Sequence, residues 1–281
     1  MRRIGGDRRL FGGDVFEELA ICRPLLGAKV RGQLQYRVSF GLQIVGNVAI
    51  HGAELIALLA LFRTFNTLGG WSGGEVAFLY ALAYISFAIA HIMATGFGQF
   101  GRMILRGDFD RVLTRPINPF LQVLASDLNL RHLGGMLQGF IAFGIALRLT
   151  NIDWTAGKIL YLPVYVLSAA ALYLLLFTLE ATLCFWTTDG NEAVNAVTYG
   201  GRLAAVYPLH VFDAWLRRFF LFVVPLGFVI YLPTTYVLDK PTPLDLPGWT
   251  PFVAPLVTAT FAILAGWLWQ VGIRRYRSTG S

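Results

Sequence analysis

The sequence predicts an all-α membrane protein: six transmembrane helices, an N-terminal interfacial helix, a short cytoplasmic helix in one long loop, and both termini in the cytoplasm. Three observations predict it. Apolar residues fill 56% of the 281 positions and charged residues only 14%, against roughly a quarter charged in soluble domains. Six apolar runs are long enough to cross a bilayer: 40–62, 76–97, 133–149, 159–185, 219–238 and 251–273. With those spans, nineteen of the 23 Lys and Arg residues fall on one side, which the positive-inside rule makes the cytoplasmic one.

The chain reads as a single transmembrane domain over 1–281. Its first twenty residues have basic character but no apolar core or small-residue cleavage site, so they do not read as a secretory signal. Residues 14–37 mix Leu25, Leu26, Val30 and Leu34 with Lys29, Arg31 and Arg37. Such a mixture suits a helix lying at the membrane surface, apolar side in lipid and basic side among headgroups. The net charge of +7 is explained by this border of cations. It implies contact with a lipid bilayer and no nucleic acid, for which no motif is present.

Span one carries Gln43, Asn47, His51 and Glu54 at spacings of four, four and three, which puts them on one helix face. Span two adds His91, Thr95 and Gln99. Ionisable groups are costly in hydrocarbon, so this face must meet protein or water. It reads either as a wall of a substrate route or as hydrogen-bonding glue between helices. Glu180, alone in span four, carries the same two readings.

Between spans one and two, Gly70-Trp-Ser-Gly-Gly74 matches the G-x-S-x-G of serine hydrolases. It lacks the strand–turn–helix context that such a nucleophile needs. Ser72 and Glu75 instead have the spacing of a helix capping box. In span three, Gly135 and Gly139 form a G-x-x-x-G that allows close helix packing. Residues 187–218 contain Gly200-Gly201 and Arg202 and read as a surface-lying cytoplasmic segment. Span five contains Pro225 and Pro233, so it should be kinked or end in a re-entrant turn.

The loop between spans two and three, residues 99–132, is the most structured polar segment. Gly107-Asp108 can start a short helix, and Pro116 and Pro119 must stop it. The result is a clamped knob suited to docking. Phe109, Val112 and Leu113 would supply apolar contact, and Asp108, Asp110, Arg111 and Arg115 would set the register. The two cysteines, Cys22 and Cys184, have neither disulfide nor metal-ligand spacing, and no metal site is expected. No phosphate-binding loop, G-x-G-x-x-G or H-E-x-x-H occurs. Energy-dependent work would need a nucleotide site on another chain.

Gly107-Asp-Phe109-Asp110-Arg111-Val-Leu113-Thr-Arg115-Pro116, continuing to Asn118-Pro119, resembles the first-loop motif of ABC-2-type exporter permeases. The resemblance extends to Tyr36–Phe40, to Asn191–Val197 and through Tyr207–Pro233. It implies a permease subunit of an ATP-driven exporter in the bacterial cytoplasmic membrane, forming a translocation route with a second permease, identical or paralogous. It also implies that residues 99–132 form the coupling loop, with 106–116 docking separate ABC ATPase subunits that bind ATP and Mg, so that this chain carries no cofactor and no catalytic residue. Residues around Thr234–Leu238 would correspond to the family's re-entrant turns.

Overall fold

The structure, a computed structural model, describes residues 15–187, 191–242 and 246–277. Among them the chain forms twelve α-helices: α1 (Val15–Gln35), α2 (Arg37–Thr64), α3 (Gly73–Gly98), α4 (Phe100–Leu105), α5 (Asp108–Leu113), α6 (Pro119–Ser126), α7 (Leu133–Leu149), α8 (Ala156–Leu183), α9 (Asn191–Ala205), α10 (Ala214–Arg218), α11 (Leu232–Val237) and α12 (Ala254–Arg275). Five helices are long and apolar enough to cross a membrane: α2, α3 with its extension α4, α7 with the turn before it, α8 and α12. They match five of the expected spans, because length and apolarity are properties of each run alone.

The centre of the bundle is α3. It is apolar all round, and from Val76 to Ala83 its side chains are almost completely buried against α7 and α8. A helix of that composition has no face to give to water and belongs inside. Ser72 accepts from the Glu75 amide (3.4 Å), and the Glu75 carboxylate accepts from the Ser72 amide (2.8 Å). The expected capping box is therefore formed at the start of α3. Small residues let neighbours close in. A Cβ on Gly139 would stand 2.7 Å from the Ile85 side chain of α3. The G-x-x-x-G stripe thus packs α7 against its own bundle.

Gly96 is tighter still, since a Cβ there would overlap the Val123 carbonyl oxygen of α6. Backbone cannot move aside as a side-chain tip can. Gly96→Ala should therefore cost about 1–3 kcal/mol through forced displacement of α6. A lowered unfolding midpoint in detergent, with loss of monodisperse protein, is the expected result.

The two ends of the bundle are distinguished by their loops. The proximal end carries the start of α2, the α4–α6 segment and the end of α12. The distal end carries the α2–α3 turn, the α7–α8 turn and the approach to α12. Lys158 of α8 pairs there with Asp239 (2.5 Å), and Lys240 pairs with Glu75 (2.9 Å).

One expected element is corrected by these contacts. The apolar run 219–238 is not a single span. It is a pair, Ala214–Val223 and Gly227–Val237, bent by 82°. The bend falls at Val224-Pro225-Leu226, where the ring removes an amide and forces Val224 out of helical geometry (φ −116°, ψ 87°). Pro233, the other candidate breaker, sits harmlessly in the first turn of α11. Both flanks of this pair return to one place: His210 bonds the Gly69 carbonyl oxygen (2.7 Å) and Lys240 donates to the Gly70 carbonyl (3.2 Å). The pair leaves the distal end and comes back to it, as a re-entrant element does.

A second correction follows by parity. Helix α8 ends at the proximal end, where Phe185 packs on Gly272 and Trp269 of α12, yet the next contacts of known position, at His210, are distal. The path between them runs through α9. Its residues climb α3 in order: Tyr199 meets His91 (3.2 Å), Arg202 bonds Tyr84, and Trp71 at the distal turn stands 6.2 Å from the His210 ring. The part of this segment from Tyr199 onward, read as surface-lying, thus runs along α3 within the bundle. Arg217, bonded to the Phe212 carbonyl (3.4 Å), lies farther along, at the distal side. Taking Arg202, Arg217 and Arg218 from the nineteen cations that the sequence assigns to the basic side leaves sixteen in that assignment, so the asymmetry read from the sequence survives.

Candidate functional site

Two regions bring the sequence-selected residues together, one at the proximal end and one within the bundle. The proximal region begins where α4 continues α3 past Gln99. Gly107 turns the chain with φ +68°, a left-handed conformation that only glycine adopts without strain. Helix α5 follows at once, with Asp108 and Asp110 in its first turn near the positive helix end. Its last turn is closed by Thr114, whose hydroxyl donates to the Arg111 carbonyl (3.0 Å). Asn118 caps α6 by accepting from the Phe120 amide (2.9 Å). Gln122 then ties the turn down, donating to the carbonyls of Val112 (3.0 Å) and Ile117 (2.8 Å). The knob expected between Gly107 and Pro116 is present and doubly clamped.

Its apolar residue points the other way from expectation. Phe109 is completely buried, with its ring 5.1 Å from Phe100, 5.6 Å from Phe185 and 5.1 Å from Tyr276. It is an anchor and cannot offer contact to a partner. Asp110 also faces inward: its carboxylate lies beside the Tyr276 hydroxyl, whose pKa is pushed up to about 12, first by burial and then by this carboxylate. What the knob presents outward is Arg106, Arg111, Leu113, Thr114, Arg115 and Pro116, all exposed, with Asp108 half-exposed at 3.9 Å from Arg111.

Helix α1 is fastened to the same region. Lys29 pairs with Asp127 (3.1 Å) and donates to the Ser126 carbonyl, while Gln33 accepts from the Leu130 amide (2.9 Å) and donates to the Leu128 carbonyl. The lead-in helix is thereby linked to the loop after α6. Cys22 lies within α1, outside the residues whose side chains are described.

The second region is a polar seam between α2, α3 and α9. Glu54 reaches Arg202 of α9 (3.4 Å) and stands 3.7 Å from His51. Arg202 is buried, with 9% of its surface exposed. It donates to the Tyr84 hydroxyl and lies over the rings of Tyr84 (4.9 Å) and Phe87 (5.5 Å), so its charge is held by a carboxylate and two aromatic faces. Tyr80 donates to the His51 carbonyl (2.8 Å). About two helical turns from Tyr84 toward the proximal end, His91 bonds the Tyr199 hydroxyl and stacks on His132 at 3.7 Å between centroids. Glu180 is buried on α8, with one carboxylate oxygen lacking a partner among the described residues.

The structure therefore gathers His51, Glu54 and His91 into this seam and leaves Gln43 and Asn47 out of it. Among the described residues those two bond along α2 only, to Ser39 (3.4 Å) and to the Gln43 carbonyl (2.9 Å). Sequence reading missed Arg202, Tyr84, Tyr199 and His132. A signal for α9 existed: Asn191, Asn195, Tyr199 and Arg202 repeat the four, four, three spacing of Gln43, Asn47, His51 and Glu54. Two helices with matching polar stripes can bury them against each other, and the last members of each stripe do meet.

Arg202→Ala should destabilise the fold by about 3 kcal/mol, toward the low end for breaking a buried pair because Glu54 keeps some solvent. The double change Glu54→Gln/Arg202→Met should recover most of that loss. Thermal unfolding of the purified variants checks both.

No cluster of His, Cys, Asp or Glu able to hold a metal occurs among the described residues. The pattern of the ABC-2 family transporter proteins matches residues 48–280. The chain belongs to that family. It is an integral membrane permease of an ABC transporter, a transport component and not itself an enzyme. No curated protein and no solved structure matches it.

Proposed function

We propose that this ABC-2 permease is the membrane subunit of an ATP-driven exporter in the bacterial cytoplasmic membrane, with its proximal end in the cytoplasm. Two such subunits, identical or paralogous, form the translocation route, and each docks a separate ABC ATPase through residues 106–116. ATP and Mg are held by that partner. The observation that carries this reading is the proximal knob: a short helix fixed at Gly107 and Thr114, anchored inward by Phe109, with Arg106, Arg111 and Arg115 turned outward. A rigid element transmits force, whereas a flexible loop would absorb it. The excess of Lys and Arg at the same end supports its cytoplasmic location.

In this scheme the ATPase pair pushes on the knob when it closes on nucleotide. The push passes through Phe109 into the ring cluster of Phe100, Phe185 and Trp269, where α4, α12 and the end of α8 meet. The seam of His51, Glu54 and His91 is proposed to border the route, and the re-entrant pair at the distal end to bound its outer part. Affinity purification of the chain from its native membrane in mild detergent tests the reading. A stoichiometric soluble ATPase is the expected companion, and a second six-span chain, if present, identifies a heteromeric pair. Recovery of the chain with no nucleotide-binding partner in several detergents overturns it.

A further inference from the structure

The flank of the bundle carries a groove between α2 and α9. It has a volume of about 320 Å³ and is lined by Leu58 and Leu61 on one side and by Leu203, Val206 and Tyr207 on the other. Glu54 is the one side chain among its lining residues that is charged at neutral pH, and it keeps 36% of its exposure. The groove is thus an apolar slot with one carboxylate on its wall. A carboxylate among apolar side chains is costly to keep and needs a cationic partner.

We propose that this groove binds an organic cation with a bulky apolar body, Glu54 serving as its counter-ion. This rests on reading the chain as a permease and names the substrate class of its seam. The chemistry of Arg202 allows it. In the empty groove, Arg202 neutralises Glu54. A ligand cation can share the carboxylate while Arg202 keeps its 3.4 Å contact with Glu54 Oε2, the Tyr84 hydroxyl and the faces of Tyr84 and Phe87, so the buried guanidinium keeps its partners. Tyr80 is already committed to the His51 carbonyl, which leaves Glu54 as the group that selects charge. An anion of the same size would meet Glu54 in repulsion, with Arg202 turned away behind it and only 11% exposed.

The test uses the full-length chain, purified with whatever partners remain bound, without nucleotide. Radiolabelled tetraphenylphosphonium and tetraphenylborate are the probes, alike in shape and opposite in charge. Saturable binding of the phosphonium, weakened roughly tenfold by Glu54→Gln as a charge-assisted contact is lost, is the expected result, with Glu54→Asp intermediate. Leu203→Trp, which fills the groove without changing charge, should abolish binding. If Glu54→Gln fails to fold, the comparison of the two ions on the wild-type chain and the Leu203→Trp variant still decide. Equal binding of both ions identifies an apolar slot for an acyl chain or a second copy and overturns the proposal, as does unchanged phosphonium binding in Glu54→Gln. Because no ATP is present, a negative result leaves ATPase co-purification unaffected, and the two readings fail separately.

Discussion

Phe109→Ala will cost about 4 kcal/mol, in the range for removing a large aromatic side chain from a packed core. The ring is completely buried and joins three partners from different parts of the chain: Phe100 in α4, Phe185 after α8 and Tyr276 after α12. Deleting it leaves a cavity where the knob is bolted to the bundle, and the neighbours, themselves ring-locked, cannot collapse to fill it. A lower thermal midpoint should accompany protease sensitivity confined to residues 99–132. Phe109→Leu, which keeps much of the volume, should lose under half as much. Wild-type stability in Phe109→Ala would mean that the ring bears on a partner and not on its own chain.

In the proposed docking of residues 106–116 on an ATPase, reversing both Arg111 and Arg115 to glutamate will weaken the association by about 100-fold, since like charges set face to face across an interface cost several kcal/mol. Both side chains are exposed, and neither contributes to the anchoring cluster. The unfolding midpoint and membrane insertion should therefore stay at wild-type values while the ATPase is lost on purification and nucleotide-dependent transport stops. The weakening should also be greater at low salt than at high salt, where exposed charges are screened. This separates docking from folding: the alanine variant at 109 harms both, the double reversal only one. Asp110, by contrast, is a poor choice for such a test because it faces Tyr276 and belongs to the anchor.

What sequence alone determined is whatever depends on neighbours along the chain. Five crossings, the Ser72–Glu75 cap, the start of α5 at Gly107 and its stop before Pro116 are each decided within a few residues, by apolar length, by side-chain-to-amide reach, or by the φ that glycine and proline allow. The family pattern is likewise local, being carried by contiguous stretches. Tertiary structure decided everything in which two distant segments share a cost. Arg202 made α9 read as too polar to enter the bundle, because hydropathy charges a buried guanidinium in full. The carboxylate that offsets it lies 148 residues away on α2. Phe109 read as a docking residue because an apolar side chain on a short polar helix looks unpartnered locally, and two of its three ring partners, Phe185 and Tyr276, come from remote segments. The run 219–238 is apolar enough to span, and only the return of His210 and Lys240 to consecutive carbonyls of one turn showed that it does not. Periodicity tells which face of a helix is polar; it takes the opposing helix to say whether that face is paired, and with what.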